Sequence, residues 1–166
     1  MADAVDSFLA QWQRERPEMD ASPMGVVGRL SRASSLVGHG IGEYFVAQGM
    51  EPWEFDVLAT LRRSGAPYTL TPKHLVARTM VGSAAMTNRV DRLVDKKLVT
   101  RETDSNNRRS VLITLTATGH ELVERVVDGH VANAARLVAG LEPAERTELD
   151  RLLRKLLISL GDTVEP

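Results

Sequence analysis

The sequence predicts a mainly α-helical protein with a small β-hairpin: a winged helix-turn-helix, dimerised through helices from both chain ends. Three observations predict it. Two helical runs, Pro72 to about Thr79 and Ser83 to about Lys96, are joined by a tight turn containing Gly82, the layout of a helix-turn-helix. A hairpin follows directly: Val99, Arg101 and Thr103 alternate before "DSNNRR", and Val111, Ile113 and Leu115 alternate after it. Amphipathic helices at both ends carry more apolar surface than one compact domain needs. The helical pair alone fits an ordinary bundle about as well; the hairpin behind it decides for the winged helix.

The first helix spans Asp3 to Arg16, where Val5, Phe8, Leu9 and Trp12 recur at helical spacing before Pro17. Ser22-Pro23 reads as an N-cap followed by proline at the first helical position. The helix it opens runs to about Gln48, with Gly49 as its stop. Its "GHGIG" has no preceding strand, which excludes a phosphate loop and leaves close helix packing. A third helix starts at Pro52 and ends before Gly65. Thr71 caps the short helix that Pro72 opens. After "TATG" two further helices run, His120 to about Leu141 and Pro143 to about Leu160. Residues 51–115 thus form the winged lobe, and residues 1–50 with 116–166 the dimerisation region.

At 166 residues, with 43% hydrophobic and 26% charged, the chain reads as one globular domain. It has no cysteine, which excludes disulfides and thiolate sites. Neither a signal peptide nor an apolar run of ~20 residues is present, so a cytoplasmic protein without membrane contact is expected. His39, His74, His120 and His130 show no metal-ligand spacing and no serine sits in a nucleophile elbow. The expectation is no enzyme, no metal and no cofactor.

The net charge is −1, but Thr71–Ser110 holds nine basic and four acidic residues against 12 and 18 elsewhere. That asymmetry marks the central third as the part that faces an anion, and double-stranded DNA as the partner. On a helical wheel of the second helix of the pair, Met86, Val90, Leu93 and Val94 share the core face. Ala84, Asn88 and Asp91 point outward, flanked by Ser83 and Thr87. Small and polar residues there let the helix N-terminus enter a major groove. Lys73, Arg78 and Arg92 are candidate phosphate contacts; each alone is also an ordinary solvated charge. Arg108 and Arg109 stand side by side at the wing tip, a like-charge pair that an anion would relieve and that is long enough for a minor groove.

The run "TPKHLVARTMVGSAAMTNRVDRLVDKKLVTRETDSNNRRSVLITLTATG" resembles the MarR family of winged-helix transcription regulators. The pattern from Leu98 to Gly119 is specific for it. One departure is Asn107, which stands where the family has an aspartate before Arg-Arg; the usual intrawing salt bridge is thereby in question, the turn is not. The chain is similar to the urate-responsive, PecS-like branch in its N-terminal helix bearing Trp12, in Asp56 of "EFDVL", and in Arg89 and Arg101. The resemblance implies that these four shape a pocket for urate or a similar small anion between the dimer core and the DNA-binding lobe. It also implies a homodimeric repressor of a pseudo-palindromic operator that lets go of DNA when the ligand binds. Arg89 lies at the margin of the core face and Arg101 shares the Val99 face of its strand; both would then need a carboxylate or ligand, and Asp56 fits. The alternatives are a structural Asp–Arg cluster in a regulator without ligand, or a winged helix that binds protein.

Overall fold

The computed structural model describes residues 2–79, 83–105 and 107–163, with the side chains of Ser83 and Ala84 outside that description. Among the described residues, seven helices and three short strands follow one another as α1 (Ala4–Glu15), α2 (Ser22–Ala47), α3 (Pro52–Arg63), β1 (Thr69–Leu70), α4 (Pro72–Arg78), α5 (Ser83–Asp95), β2 (Val99–Thr103), β3 (Val111–Leu115), α6 (Ala117–Leu137) and α7 (Pro143–Ser159). This is a winged helix-turn-helix. Its turn around Gly82 lies outside the described residues.

Local chemistry sets most boundaries. Asp3 accepts from the amides of Val5 and Asp6 while Asp6 returns a bond to the Asp3 amide, a reciprocal cap that starts α1. Gly49 (φ 73°) and Gly65 (φ 82°) take the left-handed conformation just after α2 and α3. Three boundaries differ from expectation. Ala21, not Ser22, holds the N-cap position of α2 and makes no side-chain cap bond; the Ser22 amide donates instead to Asp20 Oδ1 at 2.9 Å. α6 begins at Ala117 rather than His120, because Thr116 Oγ1 accepts from the Gly119 amide at 3.0 Å, and it ends at Leu137, short of Leu141.

The hairpin pairs Val99 with Leu115 and Arg101 with Ile113. A strand absent from the sequence reading, β1, adds to β3 so that the sheet order is β1-β3-β2. Two residues are too few for an alternation to show; the Thr69–Thr114 hydroxyl contact at 2.9 Å and the buried Leu70 hold it there.

The core runs from Phe45 and Phe55 through Leu58, Leu61, Leu75, Met86, Val90 and Leu93 to Ile113, Val123 and Val126. It therefore ties the winged part to α2 and α6. Thr116 Oγ1 also donates to the Lys97 and Leu98 carbonyls, and a side chain at Gly119 would collide with the Leu98 carbonyl oxygen. The "LTATG" sequence thus clamps the base of the wing to α6. In "GHGIG" only Gly40 is pressed by a neighbour, Leu137 of α6, whereas Gly38 and Gly42 face open space. α7 has no buried residue, and Val26, Val27, Leu36 and Leu160 are 66%, 66%, 68% and 74% exposed.

Candidate nucleic-acid interface

α4 and α5 carry most of the candidate DNA-contacting residues. Thr71 caps α4 through the His74 amide, and buried Leu75 anchors it, leaving Lys73 and Arg78 exposed. Arg63 Nη2 donates to the Arg78 carbonyl at 2.6 Å, fixing the end of α4 to α3. In α5, Met86, Val90 and Leu93 are buried and Val94 half-buried, the expected core face, while Thr87, Asn88 and Asp91 are exposed. Ser83 and Ala84 open the first turn of α5.

Arg89, Arg92 and Lys96 recur at i, i+3 and i+7, which puts them on one side of α5. That side meets the first turn of α3. The guanidinium carbons of Arg89 and Arg92 lie 5.4 and 4.8 Å from the centroid of the Trp53 indole, within cation–π range. Lys96 Nζ bonds Glu54 Oε1 at 2.6 Å, with the Glu54 side chain 1% exposed; Glu54 Oε2 accepts from the Glu51 amide and so also caps α3. Sequence reading missed Trp53 and Glu54. The available signal was the spacing of the three cations, but it did not say which element they face.

At the wing tip the Asn107 amide donates to the Asp104 carbonyl at 3.2 Å and the Asn107 carbonyl accepts from the Ser110 amide at 2.7 Å. Asn107 Oδ1 also accepts from the Arg109 amide at 3.2 Å. Asparagine at the family's aspartate position therefore still builds the turn. Arg108 and Arg109 are exposed and, among the described residues, form no ion pair.

The four residues of the implied ligand pocket do not meet within one chain. Trp12, 41% exposed, borders a groove of about 390 Å³ between α1 and α2 with Phe8, Met24 and Arg32. α1 lies on the first half of α2, with Leu9 near Gly25 and Val5 near Gly28. Asp56 is half-buried in α3 beside Phe55, whose ring stacks on Phe45 near the other end of α2, 4.7 Å away. At ~1.5 Å per residue, Gly28 and Phe45 are about 25 Å apart along that helix. Arg101 is not turned to the core as its strand face suggested: it is exposed, and its Nη1 bonds Asp91 Oδ1 at 2.8 Å. Alternation does not reach Arg101 because every residue of β2 beyond Val99 is exposed, on either face of the strand. Arg89 is half-buried, with its guanidinium over the Trp53 indole. At the α2–α3–α6 junction His130 packs 5.0 Å from Phe45 and 5.1 Å from Phe55, and burial holds its pKa below the usual histidine value.

Among the described residues no group of three or more His, Asp or Glu could hold a metal ion, and no helix is long and apolar enough to cross a membrane. The MarR family model matches residues 48–110. The HTH-type transcriptional regulator PecS of Dickeya dadantii is 39% identical over 152 residues, 92% of each chain. Among solved structures, BpsR of Bordetella bronchiseptica, whose DNA binding is regulated by 6-hydroxynicotinic acid, superposes with a TM-score of 0.71 at 30% identity over 79% of this chain and 91% of that one. A MarR mutant of E. coli in complex with operator DNA gives 0.70 at 27% identity, over 88% and 97%.

Proposed function

The chain belongs to the MarR family, and on that premise we propose that it is a repressor that binds a pseudo-palindromic operator as a homodimer and releases it on capturing a small anionic aromatic ligand such as urate. That it is a DNA-binding transcriptional regulator and not an enzyme follows from the family. One observation carries the reading of how it meets DNA: α5 turns Thr87 and Asn88 to solvent, and the wing tip exposes Arg108 and Arg109.

Residues 51–115 read DNA in this proposal. Ser83, Ala84, Thr87 and Asn88 enter the major groove, Lys73, Arg78 and Arg92 hold phosphates, and Arg108 with Arg109 reaches the minor groove. Residues 1–50 and 116–166 pair with a second copy and so set two reading helices ~34 Å apart. The exposed apolar residues of α2 and α7 support that pairing.

The ligand site takes Asp56, Arg89 and Arg101 from one protomer and Trp12 from the other, since the length of α2 separates them within a chain. An anion that draws Arg101 from Asp91 and Arg89 from Trp53 acts on two of the contacts that steady α5. A coupling of ~1–3 kcal/mol suffices for regulation. Similarity to BpsR, whose DNA binding is regulated by 6-hydroxynicotinic acid, supports a planar heteroaromatic acid. That Arg101 already has Asp91 favours, as the second reading, a regulator with no ligand.

Calorimetry with urate and 6-hydroxynicotinate, on the parent and on Asp56→Ala, tests the ligand site; operator affinity at saturating ligand tests release. Equal operator affinity with and without ligand rules the switch out. Selection of bound sites from random DNA is expected to return a palindrome, and a contact by Asn88 to be worth ~1–3 kcal/mol of base preference.

A further inference from the structure

Trp53 lies on α3, outside the helix-turn-helix pair and the wing, yet two arginines of the recognition helix lie against its ring, at 5.4 and 4.8 Å. We propose that Trp53 is a positioning residue for DNA binding: its indole holds Arg92 in the orientation from which that guanidinium meets a phosphate.

Arg92 is exposed, so its place over the indole is not a consequence of burial. A free arginine side chain samples many rotamers, whereas a guanidinium stacked on an aromatic face is pre-organised and keeps its N–H donors available at its edge. The platform is itself fixed. Trp53 sits in the first turn of α3, which Pro52 opens and which the Glu51–Glu54 capping box locks. Glu54, next in sequence, is buried and bonded to Lys96 of α5, and Phe55, Val57 and Leu58 root α3 in the core. Arg89 and Arg92 also bring two like charges to one ring, an arrangement that a phosphate oxygen between or beside them relieves. Arg92 thus reaches DNA already oriented, with a fixed spacing to Asn88 one turn earlier.

The proposal rests on the reading of Arg92 as a phosphate contact, and the test separates the two. Operator affinity is measured across a salt series for the parent, Arg92→Ala, Trp53→Leu, Trp53→Phe and the Trp53→Leu/Arg92→Ala double variant. Arg92→Ala, which removes one phosphate contact from each protomer of the dimer, is expected to lower the log–log salt slope by about 1.8. Trp53→Leu keeps an apolar side chain but no π face and is expected to weaken binding about two- to fivefold, with part of the same slope lost. Trp53→Phe recovers most of the affinity, and the double variant is no weaker than Arg92→Ala. If Arg92→Ala keeps the parent slope, the phosphate reading fails. If Arg92→Ala lowers the slope while Trp53→Leu binds as the parent does, or if the two losses add in full, the Trp53 proposal is overturned and the phosphate reading stands. The parent protein gives a reading that needs no variant of Trp53 to fold. The Arg92 Nε–H resonance, displaced by the indole ring current and assigned with Arg92→Ala, is expected to keep its displacement when operator is added. Loss of the displacement on operator binding also overturns the proposal.

Discussion

Arg101, in the first strand of the wing, donates to Asp91, on the outward face of the recognition helix, at 2.8 Å. This ion pair is the structure's direct link between the two parts that are proposed to touch DNA. Asp91 is also an acid that α5 turns to solvent beside Asn88. Both side chains are about half exposed, so their attraction contributes little to stability, and its interest lies in charge. Asp91→Asn removes a negative group close to the phosphate path and frees Arg101. Operator affinity is expected to rise about three- to tenfold at low salt, as a nearby unit charge at a protein surface implies, with a change of less than about 0.5 kcal/mol in unfolding free energy. Unchanged or weakened binding in a fluorescence anisotropy titration would contradict it.

The Glu54–Lys96 pair behaves differently. Glu54 is 1% exposed and Lys96 46%, so the lysine retains water while the carboxylate depends on it. Lys96→Met leaves the carboxylate buried with the Glu51 amide as its remaining bond. A loss of about 1–3 kcal/mol is expected, visible as a lower urea midpoint at unchanged m-value. A midpoint equal to that of the parent would show that the pair adds nothing to stability.

The wing tip is predicted to matter for DNA and not for folding. Arg108 and Arg109 are exposed, and the turn is held by backbone bonds and by the Asn107 side chain. Replacing both arginines with alanine is expected to lower the log–log salt slope by up to about 3.6, two phosphate-equivalents from each protomer of the dimer, at an unchanged thermal midpoint. A double variant that binds operator with the parent slope would remove the wing tip from the interface.

His130 makes stability depend on pH. Burial disfavours its imidazolium, so its folded pKa lies below the ordinary 6.5. As pH falls through 6.5 the unfolded chain takes up the proton first, and stability falls until the folded pKa is passed. Above 6.5 both states are neutral and the effect is absent. The slope from this residue cannot exceed about 1.4 kcal/mol per pH unit. Relative to the parent, His130→Phe, which keeps an aromatic ring between Phe45 and Phe55, is expected to flatten the urea midpoint between about pH 7 and pH 5.5. Parallel pH profiles for the two proteins would refute it.

Much of this molecule is written in short-range chemistry. Pro52, Pro72 and Pro143 each follow a cap residue in extended conformation and open a helix. Gly49 and Gly65 close two others, and the core face of α5 emerges from a period of 3.6 applied to Met86, Val90 and Leu93. The wing turn is equally local: an Asx side chain bonding an amide two residues on. A resemblance across the Leu98–Gly119 run supplied the family, and the Thr116–Gly119 clamp gives that run its physical reason.

What lay beyond the sequence involves partners distant along the chain. Period-two alternation put Arg101 on the face of Val99, but the core covers only the Val99 end of β2, and only the α5–β2 packing supplies Asp91. Nothing in "EPWEF" reveals that Trp53 and Glu54 meet Arg89, Arg92 and Lys96, some forty residues later. Likewise, the separation of Trp12 from Asp56 comes from where α1 docks along α2. Helix and turn formation depend on neighbours within about four residues, which the sequence contains outright. The pairing of charges and rings across elements is decided by which faces the shared core brings together, and that is a property of the folded chain.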